Sequence, residues 1–177
     1  MSNKTKQLVI SALLLAAGLV LPFLTGSIPN FGRMLLPMHL PVLLCGFVCG
    51  WKWGLLVGFV TPLLRSVLFG MPPVVPTALA MAFELAAYGF LAGFFYRRLP
   101  KNLLWLYVDL LLAMAGGRIV WGAVSMALYA VLGNPFTWEV FLAGAVLNAL
   151  PGIILQLVII PPIVMALKRA KLVTNRA

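Results

Sequence analysis

The stretch TALAMAFELAAYGFLAGFFYRR, residues 77–98, places a single acid, Glu84, inside a long run of apolar and small residues. A run of this length can cross the ~30 Å hydrocarbon core of a bilayer as one helix. A charged side chain in hydrocarbon is costly and by default marks a functional site. The stretch therefore predicts a transmembrane helix with a functional carboxylate, and its Arg97-Arg98 end is expected at the cytoplasmic surface.

The rest of the chain has the same character. Its 177 residues are 63% hydrophobic and 9% charged, whereas a soluble domain carries about 25% charged residues. We therefore predict an all-α integral membrane protein, a compact bundle of six transmembrane helices in one domain covering residues 1–177. The predicted spans cover residues 7–24, 38–50, 54–69, 77–96, 103–132 and 138–167. The second span is too short to cross alone, so we expect its neighbours to shield it.

The basic residues predict the orientation of the bundle. The net charge of +10 is concentrated before the first span, in the breaks around Lys52 and Lys101, and after the last span. If both termini are cytoplasmic, these groups all face the cytoplasm, as the positive-inside rule expects, and only Arg33 lies in an outer loop. A nucleic-acid partner is not expected, because the sequence has no patch of interleaved aromatic and basic residues.

Polar side chains within the spans are expected to meet in the outer half of the membrane. Glu84 lies about seven residues inward on the fourth span, and Arg118 lies near the middle of the fifth. Side chains on neighbouring spans reach similar depths, which predicts a small pocket open to the outside. The candidate substrate-binding residues are Arg118, Glu84, Asn148, Tyr88, Arg65, His39 and Trp121.

Several of these residues also have a purely structural interpretation. Arg118 and Glu84 can pair with each other and hold helices together, which does not exclude a ligand role. Arg65, near the interface, favours snorkelling towards water. His39 suits a hydrogen bond at a helix end, and Asn148 suits a bond between helices.

Two further groups are placed outside the site. Asp109 lies near the cytoplasmic side, where a salt bridge to Lys101 or Arg98 is expected. Cys45 and Cys49 lie one helical turn apart, a spacing that does not suit a disulfide, and are expected to pack as small apolar residues.

Catalysis is not expected. The sequence has one histidine and no His-Glu-x-x-His or Gly-x-x-x-x-Gly-Lys motif, so it offers neither a zinc-protease site nor a nucleotide-binding loop. The only histidine is at a span end, which does not suit an intramembrane serine protease. We predict no metal site and no cofactor.

Several motifs resemble one family of membrane proteins. They are Ala12-Leu-Leu-Leu-Ala16, Leu36-Pro-Met-His-Leu-Pro-Val-Leu-Leu-Cys-Gly46, Trp51-Lys-Trp-Gly54, Thr61-Pro-Leu-Leu-Arg65 and Phe83-Glu-Leu-Ala-Ala-Tyr-Gly89. With the six predicted spans, the chain resembles the substrate-capture subunit, or S component, of energy-coupling factor (ECF) vitamin transporters. The motifs are most similar to the pantothenate and riboflavin branch.

The resemblance implies a function and a set of partners. It implies an outward-facing vitamin site beneath a lid, here the loop 25–37 with Asn30 and Arg33. It also implies that Ala12 and Ala16 dock on a transmembrane coupling subunit, that two ATPase subunits supply energy, and that the subunit topples in a prokaryotic cell membrane.

The sequence is compatible with more than one vitamin and with more than one class of protein. The embedded arginines favour an anionic head, so pantothenate is the best candidate. Riboflavin, pyridoxine or hydroxymethylpyrimidine, and a queuine-like base remain open. The other classes considered are a structural membrane scaffold of the rod-shape type and a channel or carrier that works without ATPase partners.

Overall fold

The computed structural model describes residues 3–26, 34–170 and 172–173, and the regular structure in these ranges is helical. Two irregular π-type turns, Val74–Ala78 and Ala143–Leu147, stand before the fourth helix and after the sixth. The α-helices in the described ranges are α1 (Asn3–Gly26), α2 (His39–Cys49), α3 (Trp51–Phe69), α4 (Leu79–Arg98), α5 (Leu103–Val131), α6 (Trp138–Leu142) and α7 (Leu150–Arg169).

The predicted all-α membrane fold is confirmed. Five helical stretches are long and apolar enough to cross a membrane: Lys4–Gly26, Trp51–Phe69, Val74–Arg98, Leu103–Val131 and Trp138–Arg169. Helix α2, with 11 residues, is the sixth and shorter apolar helix. At 1.5 Å per residue it is only ~16 Å long, and nearly all of its residues are buried, so its neighbours shield it as predicted.

Two boundaries differ from the prediction. Helix α3 begins at Trp51 rather than at residue 54, because Gly50, with φ of 94°, makes the turn from α2. The Trp51-Lys52-Trp53 segment is therefore helical. The sixth span is not one helix, since a π-type turn follows α6 and the chain restarts as α7 at Leu150. Pro151 lies in the first turn of α7, where its missing N–H breaks no helical hydrogen bond.

Helix α4 packs between α2, α3 and α5. The backbones of α3 and α4 approach so closely that a Cβ on Gly54 would meet the Gly89 carbonyl, and a Cβ on Gly89 would meet Gly54. A Cβ on Gly46 of α2 would also meet Gly89. These glycines thus serve packing within the molecule, because small residues let helix backbones approach closely. Helix α5 runs unbroken through Gly116-Gly117.

Side-chain contacts define one end of the bundle, called the inner end here. Gln7 Nε2 donates to the Cys49 carbonyl at 3.3 Å, and Lys168 Nζ donates to the Lys101 carbonyl at 2.9 Å. These bonds bring together the start of α1, the end of α2, the start of α5 and the end of α7. The described basic residues at this end are Lys4, Lys6, Lys52, Arg97, Arg98, Lys101, Lys168 and Arg169. The predicted gathering of these charges at one end is confirmed.

Candidate functional site

A buried ionic contact links three helices in the outer half of the bundle. Arg118 Nη1 of α5 lies 2.8 Å from Glu84 Oε1 of α4, and His39 Nε2, at the start of α2, lies 3.3 Å from the same oxygen. The side chains of His39 and Glu84 are 2% exposed, and that of Arg118 is 12% exposed. A carboxylate in this setting is stabilised by its neighbours, and removing one partner would leave a charge unpaired.

Tyr88 completes what we call the buried ionic cluster, defined as His39, Glu84, Tyr88 and Arg118. Its ring meets the His39 ring edge-on, with centroids 5.0 Å apart. Its phenol also interacts electrostatically with Glu84 and Arg118. A Cβ on Gly117 would strike the Tyr88 ring, so this glycine lets α5 approach α4 next to Arg118. The position of Arg118 is therefore fixed by both charge and packing.

Several polar atoms of the cluster meet no hydrogen-bond partner among the described residues. They include Arg118 Nε and Nη2, and His39 Nδ1. Buried donors without partners are unfavourable and need an explanation. In this site the Glu84 carboxylate occupies Nη1 and leaves one complete edge of the guanidinium, Nε with Nη2, unpaired.

Gln156 of α7 was not assigned to the site from the sequence. Its side chain is fully buried, and neither amide atom has a hydrogen-bond partner in the described chain. It lies one turn after Gly152, which meets Leu36 just before α2, and one turn before Ile160 in the core. A buried amide inside an apolar helix is the signal that would have identified it.

Arg65 is held by α1. Its Nη1 donates to the Leu19 carbonyl at 2.5 Å, and its guanidinium lies 4.5 Å from the Phe23 ring and 5.5 Å from the Phe69 ring. The residue is 8% exposed. The expectation that Arg65 snorkels to water is therefore wrong. Its guanidinium instead donates a hydrogen bond to a helix carbonyl and makes cation–π contacts with two aromatic rings.

Asn148 and Trp121 lie in different surroundings from the cluster. Asn148 is exposed at the junction between the π-type turn and α7, where its backbone N–H bonds the Ala143 carbonyl. The structure does not bring its side chain into the buried cluster, because the sixth span is interrupted there. Trp121 stacks on Phe141 at 6.1 Å and meets Phe136 edge-on at 5.9 Å. It therefore belongs to an aromatic group at the outer end of α5.

Asp109 does not form the expected salt bridge in the described chain. It is fully buried, and neither carboxylate oxygen has a hydrogen-bond partner among the described residues. The two expected partners lie over aromatic rings instead: Lys101 Nζ is 5.2 Å from the centre of Tyr96, and the Arg98 guanidinium is 3.7 Å from that of Phe94. Cys45 and Cys49 are buried in the apolar core, as predicted.

The two alanines of the Ala12–Ala16 motif face away from the rest of the bundle. Ala12 and Ala16 are both exposed on α1, which leaves them free to meet another protein in the membrane. The proposed lid residues Asn30 and Arg33 lie outside the described residues, so the lid stays a prediction.

The cluster itself is closely packed, since His39, Glu84 and Tyr88 are each at most 2% exposed, and the expected outward opening stays a prediction. Cavities of about 280 Å³ and about 320 Å³ lie at the inner end, on either side of Tyr96 and Lys101. These cavities therefore lie at the end of the bundle away from the buried ionic cluster.

A bundle of apolar membrane-crossing helices around a buried ionic cluster defines a multi-pass membrane protein with a polar interior site. The chain belongs to the family of substrate-specific components of ECF transporters, whose model matches residues 6–164. No curated protein and no solved structure gave a significant match.

Family membership sets the general role of the chain. It is a membrane subunit that captures a vitamin-type small molecule, and it works in association with an energy-coupling module. This membership favours capture over the alternative of a structural scaffold.

Proposed function

We propose that this subunit binds pantothenate at the buried ionic cluster and delivers it across the membrane. The observation that carries the proposal is the unpaired edge of Arg118, formed by Nε and Nη2. A carboxylate binds this edge of a planar guanidinium through two parallel hydrogen bonds. Pantothenate carries one carboxylate, and its hydroxyl and amide groups can pair with further buried donors and acceptors.

Further buried polar groups support a small polar ligand rather than a bare ion. His39 Nδ1 and both amide atoms of Gln156 are buried without partners among the described residues. A ligand with hydroxyl and amide groups would satisfy such atoms, whereas an inorganic anion would supply acceptors only. Glu84 then has two roles, since it orients Arg118 and accepts hydrogen bonds from the ligand.

The remaining parts of the proposed mechanism are supported by membership of the family. Entry to a packed cluster requires an opening at the outer face, and the loop 25–37, with Asn30 and Arg33, is the proposed lid. A transmembrane coupling subunit, docked on Ala12 and Ala16, and two ATPase subunits supply the energy in a prokaryotic cell membrane. The sequence has no nucleotide-binding loop, in keeping with energy supplied by partners.

The test compares pantothenate with panthenol, in which an alcohol replaces the carboxylate. Calorimetry on the purified protein is expected to show pantothenate bound roughly ten- to a hundred-fold more tightly, the value of a charged hydrogen bond. Arg118→Lys keeps the charge but removes the planar edge, so this preference should fall sharply. A variant that keeps the full preference would exclude Arg118 as the carboxylate ligand.

A flat ring compound such as riboflavin is the second candidate, and the aromatic group favours it. Trp121 lies three residues after Arg118, and its ring stacks on Phe141. Ring stacking would quench tryptophan fluorescence on binding, and Trp121→Leu would abolish that quenching. A panel that also contains pyridoxine, hydroxymethylpyrimidine and queuine identifies the ligand by thermal stabilisation. If no compound of the panel binds, the proposal that this site binds one of these vitamins is contradicted.

A further inference from the structure

The inner end carries a second feature that vitamin capture does not use. A cavity of about 320 Å³ opens between the start of α5 and the end of α7, and we call it the inner α5–α7 cavity. Its lining includes Lys101, Lys168 and Arg169. The described residues that line it contain three cations and no acid, so it is strongly electropositive.

Two of the three cations are held in place by side-chain contacts. Lys168 Nζ donates to the Lys101 carbonyl at 2.9 Å and joins the two helix ends. Lys101 Nζ lies 5.2 Å from the centre of the Tyr96 ring, which keeps its charge at the cavity edge. Arg169, in the last turn of α7, is exposed. The cavity thus has a positioned and accessible basic rim.

The deeper wall of the cavity is apolar. Leu106 and Val164, which line the cavity, are buried, and Leu103, also in its lining, is 48% exposed. Leu106 is one helical turn deeper than Leu103, or ~5 Å along the axis. A cationic rim above an apolar wall, at the cytoplasmic end of membrane helices, matches the headgroup and the start of the acyl chains of a phospholipid.

The neighbouring groups reinforce the charge. The adjacent cavity shares Tyr96 and Lys101 and adds Lys52 and Arg97. The nearby acid, Asp109, interacts with Tyr96 but is fully buried and lines neither cavity. The rim therefore presents net positive charge to the cytoplasmic leaflet.

We propose that the inner α5–α7 cavity is a binding site for the phosphate of an anionic glycerophospholipid in the cytoplasmic leaflet. The phosphate is bound by Lys101, Lys168 and Arg169, and the acyl chains follow the groove lined by Leu103 and Leu106. This site lies at the opposite end from the buried ionic cluster and does not depend on which vitamin is bound there.

The test is native mass spectrometry of the full chain in detergent, titrated with phosphatidylglycerol or with phosphatidylcholine. The wild type is expected to bind phosphatidylglycerol preferentially. Arg169→Gln should weaken that binding about five-fold, the effect of losing one basic residue near the membrane surface. Arg98→Gln is the matched control, because Arg98 also lies in the last turn of a helix at the inner end but lines neither cavity.

A double variant extends the comparison. Lys101→Gln/Arg169→Gln should lose most of the preference, whereas Lys4→Gln/Arg98→Gln, with the same loss of charge, should keep it. Thermal unfolding of each variant establishes that it is folded. If the double variant is unfolded, the lipid preference of the single variant Arg169→Gln, at an exposed position, tests the proposal.

Each contrary result overturns the proposal. Equal binding of the two lipids would remove the headgroup preference. Equal losses of phosphatidylglycerol binding in Arg169→Gln and Arg98→Gln would show that the lipid is attracted to the whole basic inner end and not to this cavity. Displacement of the lipid by glycerol 1-phosphate at the same concentration would assign the site to a soluble phosphate compound instead.

Discussion

Glu84 joins three helices in the outer half of the bundle. One of its oxygens contacts both Arg118 of α5 and His39 of α2. In a setting with little water, the loss of this carboxylate leaves the guanidinium charge without compensation. The cost of that unpaired charge, rather than the strength of the pair itself, should dominate the effect of mutation.

We therefore expect Glu84→Gln to lower the free energy of unfolding by about 3–5 kcal/mol. The double variant Glu84→Gln/Arg118→Met removes both charges and should be more stable than Glu84→Gln alone. Unfolding in detergent, followed by circular dichroism, measures both. Additive losses in the double variant would show that the two side chains do not interact energetically.

Arg65 should behave differently from Arg118, although both are embedded arginines. Its contacts are the Leu19 carbonyl and two aromatic rings, which join α3 to α1. Arg65→Met should therefore cost about 1.5–3 kcal/mol of stability, the value of a charged hydrogen bond. Calorimetry should find its vitamin affinity within about two-fold of wild type, because a lost packing contact leaves the cluster intact. A folded Arg65→Met protein with a large loss of vitamin affinity would show that Arg65 belongs to the binding site.

The sequence predicted contacts between buried side chains where charge alone was decisive. The pairing of Glu84 with Arg118 was expected because charges inside apolar runs are costly and need a partner. The contact of His39 with Glu84 was not predicted, since its place at a helix end beside prolines also suits a local hydrogen bond. Asn148 could not be placed, because its orientation depends on an interruption of the helix that the apolar pattern does not show.

Helices α3 and α4 illustrate how small residues determine packing between elements. A Cβ on Gly89 would meet backbone atoms of Gly54, which cannot move independently of their helix. A Cβ on Gly116 of α5 would meet only the end of the Leu91 side chain, which can change rotamer. The two glycines therefore differ in what surrounds them, although both lie inside helices.

Gly89→Ala is expected to destabilise the protein by about 1–3 kcal/mol through overpacking. Gly116→Ala is the matched control and should be close to neutral, since alanine gains up to about 1 kcal/mol of helix propensity over glycine. Thermal unfolding in one detergent compares the two. Equal effects of both substitutions would contradict the close approach of α3 and α4.

Most helices could be predicted from sequence, because long apolar runs bounded by polar or glycine-rich breaks are read directly from composition. The start of α3 was misplaced since an aromatic-basic step resembles an interfacial turn, whereas Gly50 alone makes the turn. The π-type turns were not foreseen, because they leave hydrophobicity unchanged and follow from packing between helices.

At the scale of the whole molecule, α1 presents a surface that the rest of the bundle does not cover. Ala12 and Ala16, four residues apart, are exposed on that helix, so a partner helix could approach its backbone closely. The basic inner end and this small-residue face are separate surfaces. Binding of the vitamin and docking of the coupling subunit should therefore be separable by mutation.

Ala12→Trp and Ala16→Trp should each reduce co-purification with the coupling and ATPase subunits at least ten-fold, because a large ring prevents close helix contact. Vitamin affinity, measured by calorimetry on the isolated subunit, should stay unchanged, since neither residue contacts the buried ionic cluster. Val158→Trp on α7 is the control, because Val158 is also exposed on an apolar helix face. If Val158→Trp impairs assembly as strongly as the alanine variants, the effect comes from bulk at the lipid-facing surface and α1 has no special role. If all three variants assemble normally, the docking face lies elsewhere on the bundle.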